Sequence, residues 1–195
     1  MLPLLISTRN QDKVKEFRKL LIPYGIVIHS MDAFPDCPET IEDKETIAGN
    51  AIKKACEGAA YSGMLCLADD TGLFIDALKG SPGVYSARWA GPGCSYQDNR
   101  RKILIQMEGI STRDAYFQTA MALADPSGLI SVVYGTVSGK ITEMERGKQG
   151  FGYDSIFEVE GIRKTFAELE ESEKNRLSHR GLALMEILPL LIRTI

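Results

Sequence analysis

The chain opens on a continuous apolar run, residues 2–6, and passes into KVKEFRKLL at 13–21, where apolar positions recur at helical spacing. The run reads as a buried strand and the repeat as an amphipathic helix, so STRNQD at 7–12 lies at a strand-to-helix turn. Residues 26–29 read as a short strand, 46–61 as a helix, 65–68 as a strand ending where the chain turns at Asp69-Asp70-Thr71-Gly72, and 96–107 as a helix. Two strands, 115–124 and 129–137, flank the turn DPSG and form an antiparallel hairpin, and a helix over 178–191, with Ser178 as N-cap, closes the chain. The expected fold is α/β with a mixed sheet flanked by helices.

Composition adds little to this picture but excludes several classes. With 195 residues, 44% hydrophobic and 25% charged, the chain can bury one core, and no repeat or linker divides it, so a single unit over 1–195 is expected. A formal charge of −3 argues against nucleic acid or membrane as partner, since both ask for a basic excess. Cys37, Cys56, Cys66 and Cys94 form no C-x-x-C pair and there are only two histidines, which argues against structural zinc and for a reducing, cytoplasmic setting. Residues 1–6 are too short for a signal-peptide core, and 187–192, interrupted by Pro189, are too short to span a membrane.

Three groups of residues carry candidate chemistry. The turn at 7–12 offers helix N-terminal N–H groups with Thr8, Asn10 and Lys13 as further donors, a place for an anion. It lacks the glycines and the Gly-Lys-Ser/Thr ending of a P-loop, and an Asn before a helix is often only an N-cap. Asp69 and Asp70 leave a strand together; alternation sends one toward any given cleft and the other toward backbone or a basic side chain. Glu42, Asp43 and Glu45 precede a helix on which Asn50 and Lys54 share a face. Acids near phosphate-binding groups point to magnesium, although acids at a helix start are favoured in any case. The third group is GFGYDSIF at 150–157 with EKNRLSHRG at 173–181. Phe151 and Tyr153 offer stacking faces, Asp154 an acceptor for a ring N–H, and His179 and Arg180 donors to a ring carbonyl or phosphate. The plainer alternative is a glycine-turned loop followed by a capped helix. The Gly-, Pro- and Ser-rich segment 80–93, with Tyr85, Arg88 and Trp89, is a candidate lid or subunit contact.

STRNQDKVKEF, ETIAGNAIKKA, ADDTGLFIDALKGSPGVYSARWAG, GFGYDSIF and KTFAELEESEKNRLSHRG resemble, in order and spacing, the inosine/xanthosine triphosphate pyrophosphatases. The resemblance runs from Leu5 to about Leu184. It implies a two-lobed α/β homodimer with a long mixed sheet and an active-site cleft between the lobes. The implied reaction is magnesium-dependent hydrolysis of ITP, dITP and XTP to the monophosphate and pyrophosphate. By the same resemblance the run Thr8, Arg9, Asn10, Gln11, Asp12 and Lys13 holds the triphosphate, and Glu42 and Asp70 bind magnesium, Asp70 also taking the proton of the attacking water. Lys54 and Thr71 contact substrate; Phe151, Gly152, Tyr153 and Asp154 hold the nucleoside; Lys174, His179 and Arg180 complete the base and phosphate site. Gly49, Gln149 and Ser155 stand where the family usually has Glu, Gly and Pro, and Gly49 carries an expected helix cost of ~1 kcal/mol relative to Ala. Two alternatives are a pyrophosphatase for pyrimidine or modified nucleotides, which would replace the base-reading residues, and a non-catalytic nucleotide sensor, which would not need Glu42, Asp69 and Asp70 together.

Overall fold

The structure, a computed structural model, describes residues 3–194. The elements are β1 (Leu4–Ile6), α1 (Gln11–Leu21), β2 (Ile28–Ser30), α2 (Ile47–Ser62), β3 (Leu65–Ile75), β4 (Pro82–Gly83), α3 (Tyr96–Gln106), β5 (Asp114–Asp125), β6 (Gly128–Ile141), β7 (Phe157–Val159), α4 (Glu171–Leu177) and α5 (His179–Thr194). The expected first strand is found over Leu4–Ile6, and Leu2 lies outside the described residues.

The seven strands form one sheet in the order β2-β1-β3-β5-β6-β7, with β4 paired to β3. Strand β1 runs parallel to β2 and β3, whereas β3–β4 and β6–β7 are antiparallel, so the sheet is mixed as expected. Neighbouring strands β5 and β6 are linked by Pro126 and Ser127 alone, a connection too short for a parallel crossover. Asp125 Oδ1 closes that turn, accepting from the backbone N–H of Ser127 at 2.7 Å and of Gly128 at 3.2 Å.

The chain resolves into two compact units, the first holding residues up to Asp70, Thr119–Gly135 and the segment from Arg180 on, the second Thr71–Gln118 and Thr136–His179. In the first, α1 buries Val14, Phe17 and Leu21, and Phe17 and Leu21 join Leu4, Ile6, Leu67, Leu123, Leu184 and Ile187 in a largely aliphatic core. The second unit has an aromatic core in which Phe117, Phe157 and Phe166 lie 4.7 to 6.1 Å apart, centroid to centroid, among Leu73, Ile103, Met107 and Ile156. No described helix is long and apolar enough to cross a membrane.

Two expectations change. Asp69-Asp70-Thr71-Gly72 is not the end of a strand, because β3 continues through it to Ile75. Gly72 serves close packing rather than a turn: a Cβ there would lie 2.6 Å from the Phe74 ring and 2.9 Å from the Gly83 carbonyl oxygen. Gly49 sits in the first turn of α2 under Lys44, whose Cβ would be 2.8 Å from an added methyl, so alanine there meets a steric cost that offsets its helical preference. Ser178, in extended conformation (φ −72°, ψ 153°), separates a short helix α4 from α5.

Candidate active site

The turn between β1 and α1 is built by capping. Asn10 Oδ1 accepts from the backbone N–H of Asp12 at 2.9 Å and of Lys13 at 3.3 Å, and Thr8 Oγ1 accepts from Asn10 N–H at 3.2 Å. The neighbours are engaged locally: Arg9 donates to the Cys37 carbonyl at 2.6 Å, Gln11 to Asp32 at 3.1 Å, and Asp12 lies 3.9 Å from Lys15. Lys13 of this run reaches the strand acids, with Nζ 2.9 Å from Asp69 Oδ2.

The two acids of β3 part as strand alternation requires. Asp69 is buried and accepts from Arg180 Nη2 at 2.9 Å and Nε at 3.2 Å, while Arg180 Nη1 pairs with Glu16. Burial opposes its charge, yet Arg180 and Lys13 outweigh burial and hold the carboxyl well below the usual range. Asp70 accepts from Asn50 Nδ2 at 3.1 Å and faces Lys54 Nζ at 3.6 Å; the same ammonium lies 2.6 Å from Glu42 Oε1. Burial foremost raises the Asp70 carboxyl above its ordinary value, Lys54 and Lys13 work against that, and Glu42 adds to it. Asn50, fully buried, turns its Oδ1 to the backbone N–H of Lys44 at 3.0 Å, tying Asp70 to the loop that bears Glu42. Sequence reasoning set Asn50 beside Lys54 on one helix face but gave it no role; an amide inside a helix, poor in propensity, was the available signal.

The donor chemistry here fits a hard divalent cation. Glu42 and Asp70 already converge on one positive centre, the Lys54 ammonium, and both offer carboxylate oxygen. The first unit gathers Glu16, Glu42, Asp69 and Asp70 against Lys13, Lys54 and Arg180, so a triphosphate added to this group calls for further positive charge. Among the described residues no group of three or more His, Cys, Asp or Glu is placed to hold a metal ion.

The second unit holds the other residues. Gly150 and Gly152 take positive φ, 74° and 61°, and a Cβ on Gly150 would collide with the Asp154 carboxylate tucked beneath it. Asp154 Oδ2 accepts from Phe151 N–H at 2.8 Å and from Lys174 Nζ at 2.7 Å, and that ammonium stands 4.8 Å from the Phe151 ring centroid. Tyr153, in contrast, packs in the core and donates its hydroxyl to the Ser86 carbonyl at 2.7 Å, so the half-buried Phe151 is the ring better placed to stack on a ligand. His179 is buried and stacked on Phe117, centroids 4.7 Å apart. Thr71 is half-buried in β3. In chain order, then, the structure groups Lys13, Glu42, Lys54, Asp70 and Arg180 in one unit and Phe151, Asp154, Lys174 and His179 in the other.

A mixed α/β sheet, a capped helix start beside paired lysines and carboxylates, and a glycine-hinged aromatic loop define a protein equipped for phosphorylated ligands. A profile of the Ham1 family matches residues 4–190, and the chain belongs to that family. It is 48% identical over 184 residues to a protein of Exiguobacterium sp. named dITP/XTP pyrophosphatase, covering 94% of each chain. It is 45% identical over 192 residues to the protein of the same name from Desulforamulus reducens, covering 97% of this chain and 96% of the relative. Among solved structures, a HAM1 protein from Coxiella burnetii superimposes with a TM-score of 0.88 at 36% identity, over 99% of this chain and 100% of that one. The dITP/XTP pyrophosphatase of Mycobacterium abscessus does so with 0.77 at 39% identity, over 96% and 100%.

Proposed function

We propose that this chain hydrolyses the non-standard purine nucleoside triphosphates ITP, dITP and XTP to monophosphate and pyrophosphate. Family membership supports the reaction class, and the arrangement of Asp70 between Asn50 and Lys54 is the observation in this chain that carries it. The N-terminus of α1 with Thr8, Asn10 and Lys13 receives the phosphates. Lys54 compensates phosphate charge and Asn50 fixes the plane of the Asp70 carboxylate, which orients the attacking water and accepts its proton. Glu42 and Asp70 would hold a magnesium ion, which when bound supplies charge neutralisation at the phosphates.

The nucleoside is gripped by the loop around Phe151, whose ring stacks on the base, with Asp154 and Lys174 fixing the loop and His179 contributing to the base contacts. A 6-oxopurine offers an O6 acceptor and an N1–H donor, the reverse of adenine. A buried edge paired for the first leaves polar groups unsatisfied with the second, and that mismatch supports discrimination of ~10⁴. We also propose a cytoplasmic homodimer, a setting with which its unpaired thiols agree.

The test is pyrophosphate release from ITP, dITP, XTP, GTP and ATP with and without magnesium. Fast release from the first three, little from ATP and GTP, and loss of turnover on chelation are expected. Equal turnover of ATP and ITP would contradict the substrate reading.

A further inference from the structure

The segment bearing Phe151 has little conformational bias of its own. Residues 143–153 form no helix or strand, and Gly147, Gly150 and Gly152 all take positive φ. Contacts from outside the segment must therefore fix it. Asp154 and Lys174 hold one part, through Phe151 N–H. The Gly152 carbonyl is held by a different group: Arg100, on α3, donates from Nη1 to Gly152 O at 2.9 Å and from Nε to Glu145 Oε2 at 2.8 Å. Ser155 Oγ donates to the same Glu145 oxygen at 2.8 Å. These residues, with Phe151 and Gln149, line a cavity of about 130 Å³.

We propose that Arg100, oriented by Glu145 and Ser155, is a positioning residue that sets the nucleoside loop through the Gly152 carbonyl. The inference rests on the reading of that loop as the nucleoside grip. Arg100 stands on a fixed element: α3 begins in a reciprocal cap between Ser95 and Asp98, and the adjacent Asn99 accepts from Ala90 N–H at 2.7 Å. A guanidinium can serve a carboxylate and a carbonyl at once from one planar fork, which an ammonium cannot match. The Glu145 side chain is 40% exposed, so its ion pair alone contributes little. Its effect lies in aiming Arg100, and the bond that matters for function is the one to the loop carbonyl.

The test compares wild type, Arg100→Ala, Arg100→Lys and Glu145→Gln for ITP turnover and for competitive inhibition by inorganic tripolyphosphate, which has no base to grip. Arg100→Ala is expected to raise KM for ITP by about tenfold, the scale of one charged hydrogen bond, with kcat within about twofold. Tripolyphosphate inhibition should stay unchanged, and Arg100→Lys and Glu145→Gln should show smaller rises in KM. An unchanged KM for ITP in Arg100→Ala, or an equal weakening of ITP and tripolyphosphate, would overturn the proposal. If Arg100→Ala does not fold, Ser155→Ala, a milder cut in the same network, carries the same comparison. Absence of ITP turnover by the wild type would instead overturn the proposed function.

Discussion

Asn50 and Asp70 are joined by a 3.1 Å hydrogen bond inside the protein, while the other end of the Asn50 amide accepts from Lys44 N–H. One side chain thus sets the distance between the strand that carries Asp70 and the loop that carries Glu42. Asn50→Ala removes the acceptor of the part-buried Lys44 N–H and a donor to the buried Asp70 carboxylate. It should cost about 1–3 kcal/mol of stability per unsatisfied group and lower turnover, read by urea unfolding and by kcat. Asn50→Asp keeps the acceptor for Lys44 but sets a carboxylate against Asp70, so it should lose turnover more than Asn50→Ala does.

The neighbouring acids should fail in different ways. Asp70→Asn removes the charge needed for proton acceptance and cation binding, so turnover should fall by at least ~10²-fold with the fold intact. Asp69→Asn breaks the buried pairing of Arg180 and Lys13 and should destabilise the protein by about 3–5 kcal/mol, seen in urea unfolding. Equal loss of stability in the two variants would contradict this division.

Phe151→Ala should raise KM for every purine triphosphate, since stacking of about 1–3 kcal/mol per base is indifferent to the base edge. Its ITP:ATP preference should remain. A changed ratio with an unchanged KM for ITP would assign base reading to the ring itself.

Acid sensitivity has an identifiable contributor in Glu168. Its carboxylate accepts from Thr165 N–H at 2.8 Å and from Arg146 Nη2 at 3.0 Å. The backbone bond from Thr165 foremost, with Arg146, holds it below its ordinary value against a smaller opposing effect of burial. A depressed folded-state value stabilises above the ordinary glutamate range, and that stabilisation disappears as pH falls through the folded-state value. Glu168→Gln should therefore melt earlier than wild type at pH 7, with the two curves converging at strongly acid pH. A constant gap across that range would contradict the assignment.

What was legible in the sequence was local. The start of α1 follows from Asn10 and the spacing of Val14, Phe17 and Leu21, and the opposite fates of Asp69 and Asp70 follow from strand alternation. The extension of β3 was hidden because Gly72 answers to the Phe74 ring and the Gly83 carbonyl, which no turn rule registers. The pairing of Arg180 with Glu16 spans 164 residues, beyond any periodicity. Two lobes were implied by the family resemblance alone and their boundary was not legible in the residues, since the chain passes from one compact unit to the other at Asp70–Thr71 inside a strand and no linker composition marks it. The burial of Tyr153 was likewise unreadable, because it depends on the core its ring packs into and on the distant Ser86 carbonyl that receives its hydroxyl, while Phe151 stays half-buried.

The central claim is attack of water, deprotonated by Asp70, on the α-phosphorus of a non-standard purine triphosphate. Hydrolysis of ITP in ¹⁸O-labelled water, with products resolved by mass spectrometry, tests it most directly. The account predicts one label in inosine monophosphate and none in the released pyrophosphate. Label in pyrophosphate would place the attack at the β-phosphorus, and labelled orthophosphate with inosine diphosphate would contradict the account outright.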